Sequence, residues 1–199
     1  MHPGSTVYPY GKVKSSFPDV RYVFLDRDGV INRKAPEGSY VAHPRDFQLL
    51  PGAETAIAAL NRAGLKVIVI SNQRGVALGT YTSADVDALH AWLQQQLSAH
   101  GAHIDAFYYC PHDNDECDCR KPKTGLFQQA FQDFPEASAS NSIVIGDSIS
   151  DIEAARNLGS VSIFIQGDSL TQRPGSDQAS ALADAAASSL LEAVEKHIL

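Results

Sequence analysis

Five short apolar runs, each followed by turn residues and separated from the next by a stretch of helical period, limit this chain to very few folds. The runs are YVFL within 21–26, LKVIVI at 65–70, the segment 104–109, SIVIG at 142–146, and 161–165. Unbroken apolar runs of this length read as strands covered on both faces, as in a parallel sheet. Between them, Ala53, Ile57, Leu60 and Ala63 keep helical spacing up to a stop at Gly64. Val86, Leu89, Leu93 and Leu97 form a second stripe, opened by Thr82 and Asp85 and running to about Ala99. Two further helices are expected at 124–134 and from about Ser150 to Leu158, the latter stopped by Gly159. Strand–helix alternation gives an α/β fold, a Rossmann-like doubly wound parallel sheet with right-handed crossovers. About five core strands are expected, in the order 3-2-1-4-5. A length of 199 residues holds one such domain, assigned to 20–199. Residues 1–19, rich in Pro, Gly, Ser and Tyr, are expected to form a loose arm, and 33–50 and 167–178 to form loops. The Ala-rich end is expected to close in a helix with Leu190, Leu191, Val194 and Ile198 inward.

Four of the strand ends carry polar clusters: Asp26 and Asp28, Ser71 and Asn72, the stretch Cys110 to Lys121, and Asp147 with Asp151. In a parallel sheet all carboxyl ends point one way, so the clusters can meet in one crevice. With the first and fourth strands as neighbours, Asp26 faces Asp147. Two carboxylates, a backbone carbonyl and water suit Mg²⁺. Each acid taken singly also reads as a helix cap, since Asp147 or Ser148 precedes a helix. Four polar ends in one chain argue against that reading.

All three cysteines lie between Cys110 and Cys119, with His112 among them. An odd, tightly clustered set points to metal rather than disulfides. Cys110, His112, Cys117 and Cys119 supply four soft or borderline ligands, enough for a closed, structural Zn²⁺ site that ties down Arg120 and Lys121. The formal charge of −7, from 16 Lys plus Arg against 23 Asp plus Glu, gives no general attraction to nucleic acid or to an anionic membrane. No apolar run approaches the roughly 20 residues that span a bilayer, and the first residues lack a signal-peptide core. The reading is a cytoplasmic, monomeric protein without nucleic acid or membrane partners.

DRDGVIN, ISNQ, RKP and GDSISDI, in that order, resemble the four motifs of the haloacid dehalogenase-type phosphohydrolases. The resemblance implies that Asp26 is a nucleophile forming an aspartyl-phosphate and that Asp28 is its acid/base. It further implies that Ser71 binds the phosphoryl group with Asn72 beside it, that Lys121 neutralises charge, and that Asp147 joins Asp26 and the Asp28 carbonyl on Mg²⁺. The cysteine loop narrows the resemblance to a subgroup without a full cap domain, which holds heptose bisphosphate and histidinol-phosphate phosphatases. LLPGA and SNQRGVALGTYT resemble the heptose branch more closely. The implied activity is release of the C7 phosphate from D-glycero-D-manno-heptose 1,7-bisphosphate, a small phosphorylated sugar, with histidinol phosphate as the alternative substrate.

This chain departs from the branch at Arg74, Leu78 and the longer stretch Arg33 to Ser39 before Tyr40. Substrate contacts are expected from Asn32, Tyr40, Asn72, Gln73, Arg74 and Arg120, with Arg74 and Arg120 placed to fork a second phosphate. A solvated loop charge is the plainer reading of Arg74. A receiver-type signalling module would carry its acceptor on the third strand, where this chain has Tyr109 and Cys110. A nucleic acid 3′-phosphatase would want a basic groove, which the charge does not supply.

Overall fold

The computed structural model describes residues 17, 19–36, 38–114, 116–167 and 174–199. Most of the arm expected at 1–19, and part of the loop expected at 167–178, fall outside them. The described residues form one six-stranded parallel sheet in the order β3-β2-β1-β4-β5-β6. Its strands are β1 Tyr22–Leu25, β2 Lys66–Asn72, β3 Ala106–Cys110, β4 Ser142–Gly146, β5 Val161–Ile165 and β6 Ala185–Ala187. The helices are α1 Ala53–Arg62, α2 Ser83–Ser98, α3 Gly125–Asp133, α4 Ile149–Leu158, α5 Ser176–Leu182 and α6 Leu190–Ala193, the last continuing as a π-helical turn, Val194–Ile198.

The expected order holds for the first five strands, and the sixth corrects the reading of the chain's end. Ala185–Ala187 is a strand, flanked by two short helices rather than absorbed into one. Three methyl side chains carry none of the branched apolar signal by which the other strands are read. The strand exists because β5 offers it an unpaired edge, with Ile163 opposite Ala185 and Ile165 opposite Ala187. Leu190, Val194 and Ile198 are buried as expected, and Leu191 is half-buried.

Side chains of a strand alternate between faces, and β1 and β2 split accordingly between two cores. Val23, Leu25, Val67 and Val69 pack with Ile57 and Leu60 of α1, Leu89 and Leu93 of α2, and Leu190 and Val194. Phe24, Ile68 and Ile70 pack on the opposite face with Leu126 and Phe127 of α3 and Ala154 and Ala155 of α4. Phe24 meets Phe127 and Phe131 edge-on, with ring centroids 5.2 and 5.9 Å apart. Each fully buried Leu, Ile or Phe contributes about 1.5–3 kcal/mol, so the two cores together hold the central strands firmly.

Register then fixes where the polar ends fall. Leu25 lies opposite both Val69 and Ile145, so Asp26, Ser71 and Asp147 leave three adjacent strands at the same edge. Between β1 and α1 the described residues form loop, two isolated bridges at Asn32 and a 3₁₀ turn at Pro44–Asp46, with no cap domain among them.

Candidate active site

Asp26 is held before it does anything. Its N–H donates to the Ile145 carbonyl at 2.9 Å, extending the β1–β4 ladder by one bond. The chain then turns at Gly29, whose φ of 102° favours glycine. A Cβ there would lie 1.8 Å from Asp147 Oδ2, so the turn and the β4 acid approach closely only because the residue has no side chain. Asp147 follows Gly146, itself pressed against Asp151, where a Cβ would lie 2.2 Å from that residue's own.

Lys121 reaches the same point from beyond β3. The Asn72 amide clamps its backbone from both sides, donating to the Lys121 carbonyl and accepting from the Lys121 N–H, each at 3.1 Å. The ammonium meets three acceptors: Asp26 Oδ1 at 2.8 Å, Asp151 Oδ1 at 2.6 Å and the Ile70 carbonyl at 2.6 Å. Burial works against its charge, but Asp151 and Asp26 outweigh that and hold the ammonium charged above the ordinary lysine range. Asp151 uses its other oxygen to cap α4, accepting from the Ser148 N–H at 3.1 Å and the Ser148 hydroxyl at 2.5 Å.

Asp28 lies beside them in a dense donor shell. Arg27, 1% exposed, donates through one nitrogen to both Asp28 oxygens at 2.8 and 3.1 Å and to the Val41 carbonyl at 2.9 Å. Asn32 donates to Oδ1 at 2.8 Å and Gln73 to Oδ2 at 3.1 Å. Gln73 also donates to Ser71 Oγ at 2.7 Å and accepts from the Tyr81 hydroxyl at 2.7 Å. Burial pushes that phenol up to about 12, so it remains a donor at neutral pH. Behind Arg27, its Nη1 lies 3.5 Å from Nε2 of the buried His90, whose ring stacks on Phe107 at 4.5 Å.

The acids crowd together. One oxygen each from Asp26, Asp147 and Asp151 lies within 4.8 Å of the others. Burial raises Asp26, with Asp151 and Asp28 adding to the effect and Lys121 opposing it. Burial likewise pushes Asp147 up to about 7, against the opposing charge of Lys34. Lys34, from the loop after β1, ion-pairs with Asp147 Oδ2, while Asp147 Oδ1 is buried with no hydrogen-bond partner. Hard oxygens under mutual repulsion, one of them orphaned, fit a divalent cation such as Mg²⁺.

These groups open into a cleft of about 810 Å³, lined also by Tyr40, Arg74, Asn114, Arg120 and Ser150. That volume suits a small ligand. Asn32 is not among its walls. It is fully buried, with its amide spent on Asp28 and the Arg33 carbonyl. The structure thus places Asn32, expected at the substrate, behind Asp28 rather than on the cleft wall. Gln73 lines the cleft but is 2% exposed, with its amide committed to its neighbours. Arg74 points to Asp113, with Nε 2.5 Å from Oδ1 and Nη2 3.2 Å from Oδ2, while Arg120 Nε donates to Asn114 Oδ1 at 3.0 Å.

The cysteine loop closes on itself. The three thiols lie 3.1 to 3.5 Å apart, and His112 Nδ1 lies 3.3 Å from Cys119 Sγ and 3.7 Å from Cys110 Sγ. Four such donors within one ion's reach fit a tetrahedral Zn²⁺. The Gln73 N–H donates to the Cys110 carbonyl at 2.8 Å, tying the loop to the end of β2.

Sequence reasoning gave no role to Asp151, Arg27 or Lys34. Asp151 stood beside Asp147 among the polar strand ends; in the structure it caps α4, and burial against Lys121 adds a second task. Arg27 stood between two more conspicuous acids. Nothing in the sequence marks Lys34.

A carboxylate braced by a lysine at the carboxyl edge of a doubly wound sheet, with two further acids alongside, defines a class. The family model of the haloacid dehalogenase-like hydrolases matches residues 17–159, and the chain belongs to that family. Among its relatives, the D-glycero-alpha-D-manno-heptose-1,7-bisphosphate 7-phosphatase of Mycobacterium tuberculosis is 40% identical over 171 residues, covering 85% of this chain and 87% of that one. The D-glycero-beta-D-manno-heptose-1,7-bisphosphate 7-phosphatase of Vibrio cholerae is 38% identical over 170 residues, covering 81% and 87%. In structure, the chain is similar to D,D-heptose 1,7-bisphosphate phosphatase from B. bronchiseptica, solved with magnesium and phosphate. The TM-score is 0.78 at 28% identity, over 89% of this chain and 97% of the other.

Proposed function

We propose that the protein is a Mg²⁺-dependent phosphomonoesterase that removes the C7 phosphate of D-glycero-D-manno-heptose 1,7-bisphosphate through a phosphoenzyme on Asp26. The observation that carries this reading is the convergence of Asp26, Asp28, Ser71, Lys121 and Asp147 on one cleft.

A carboxylate attacking a phosphate dianion meets like charge. Bound Mg²⁺, held by Asp26, Asp147 and the Asp28 carbonyl, would supply positive charge against the phosphoryl oxygens. Lys121 supplies the second counter-charge, on Asp26 itself. Asp26 attacks phosphorus, the bond to the sugar oxygen breaks, and Asp28 gives that oxygen its proton. Asp28 then takes a proton from water, which attacks the same phosphorus and frees Asp26 and inorganic phosphate. Ser71, its hydroxyl oriented by Gln73, binds a phosphoryl oxygen. The Cys/His loop holds structural Zn²⁺ and positions Arg120 and Lys121.

Tyr40, Arg74 and Arg120 line the outer cleft, where a second phosphate would lie. A guanidinium forks an oxyanion in two places; Arg120, with Nη1 unpartnered, and Arg74, on exchanging Asp113 for phosphate, favour a bisphosphate over a monophosphate. The relatives' names favour the heptose over histidinol phosphate and include both anomers, so both belong in the assay. Released phosphate is measured with Mg²⁺ from each heptose bisphosphate anomer, histidinol phosphate and a 3′-phosphorylated oligonucleotide. The expected kcat/KM is highest for one heptose anomer. A higher value for histidinol phosphate would refute the assignment.

A further inference from the structure

The cleft holds a cation that the reaction does not require. Lys34 is 8% exposed, and its ammonium is buried with no hydrogen-bond partner beyond its ion pair with Asp147 Oδ2. It packs where glycine leaves room: a Cβ on Gly29 would lie 2.7 Å from Lys34 Cε and 1.8 Å from Asp147 Oδ2. The three acids are thus divided between two lysines. Lys121 serves Asp26 and Asp151, and Lys34 serves Asp147. The division keeps a buried triad from repelling itself apart when no metal is present.

A divalent ion bound to Asp147 changes that balance. An ammonium on Asp147 Oδ2 and Mg²⁺ on the unpartnered Oδ1 would share one carboxylate and repel each other, and a partly desolvated cleft screens that repulsion poorly. The lysine side chain is long and flexible, and the cleft wall it lines also carries Asp26, Ser71 and Lys121. A displaced ammonium therefore has a site of opposite charge within the same cleft in the oxygens of a phosphoryl group seated against Asp26.

We propose that Lys34 is a place-holder cation at Asp147, displaced when Mg²⁺ binds and transferred to the phosphoryl oxygens, so that metal and phosphate bind cooperatively. The inference rests on the reading of Asp26 and Asp147 as the metal site. Two ligands that each favour the same rearrangement strengthen one another reciprocally. Losing Lys34 should therefore ease metal entry and weaken the coupling.

Titration calorimetry of the zinc-loaded protein with Mg²⁺, with and without saturating inorganic phosphate, reads both quantities. Wild type is expected to bind Mg²⁺ more tightly with phosphate present. Lys34→Met is expected to bind Mg²⁺ about tenfold more tightly without phosphate and to lose most of the phosphate enhancement. Its metal-free form should melt at a lower temperature than wild type, and Mg²⁺ should restore more of that loss than it adds to wild type. Lys34→Arg, which keeps the charge, should retain the enhancement. Lys34→Gln replaces Met if the Met variant does not fold. Equal Mg²⁺ affinity and equal enhancement in wild type and Lys34→Met would overturn the proposal, as would Arg behaving like Met. Mg²⁺ binding unchanged by Asp147→Asn would remove the metal-site reading as well, which separates the two failures.

Discussion

Asp28 shows how much a single side chain depends on what stands behind it. Its oxygens take donors from Arg27, Asn32 and Gln73, and Arg27 is in turn anchored to the Val41 carbonyl. Arg27 thus braces Asp28, the proposed acid/base, and ties it to the loop that carries Tyr40. Arg27→Ala should lower kcat for an alkyl phosphate about 10- to 100-fold with little change in KM, the range over which general acid–base contributions act. Hydrolysis of p-nitrophenyl phosphate, whose leaving group needs no proton, should fall much less. Equal losses on both substrates would deny Arg27 this role. His90 gives a pH signature. Burial first, then the charge of Arg27, drives its pKa down from the ordinary value to about 3. A histidine kept neutral when folded contributes stability that is complete above about pH 6.5 and is lost as pH falls toward 3. The slope is at most about 1.4 kcal/mol per pH unit. Urea midpoints at pH 7 and pH 5 should therefore differ less in His90→Gln than in wild type, and an unchanged difference would reject the assignment. At this scale the sequence was readable wherever a motif named a reacting atom. It was silent on Arg27, His90 and Lys34, because support from behind depends on packing that no spacing encodes.

The cysteine loop is the element whose clustering was most legible, since four candidate metal ligands within ten residues can be read from spacing alone, and the structure brings them together. Less legible was what the loop holds. Asn72 clamps Lys121 from β2, the Gln73 N–H bonds the Cys110 carbonyl, and Arg74 pairs with Asp113 across the cleft mouth. Asn72 and Gln73, two of the six side chains read as substrate contacts, have amides engaged within the protein. Their polarity was visible but their partners were not. Cys117→Ser with Cys119→Ser should remove stoichiometric zinc, lower the melting temperature and cut kcat/KM by about 100-fold or more, because Lys121 loses its frame. Zinc retained in that variant, or lost without consequence for activity, would contradict the role given to the loop. β6 marks the opposite case. A strand of three alanines has no pattern of its own and becomes a strand only by pairing with β5.

Across the whole molecule, strand order does most to make a site. Parallel pairing of β1 with both β2 and β4 sends Asp26, Ser71 and Asp147 to one edge, where the register brings them within one residue of each other. The order of the first five strands was legible because long apolar runs announce buried strands and only a few crossovers are allowed. The cleft adds what the net charge of −7 conceals: Lys34, Arg74, Arg120 and Lys121 line one cavity in an acidic protein. A local basic wall facing local acids is what transfer of a phosphoryl group onto a carboxylate requires. The most direct measurement uses Asp28→Asn, which cannot activate water, mixed with p-nitrophenyl phosphate and Mg²⁺, quenched in acid and digested for mass spectrometry. The account predicts a burst of about one nitrophenolate per enzyme and one phosphoryl group on the peptide at Asp26, absent in Asp26→Asn. Phosphate released without a burst, or a phosphoryl group on any other residue, would contradict it.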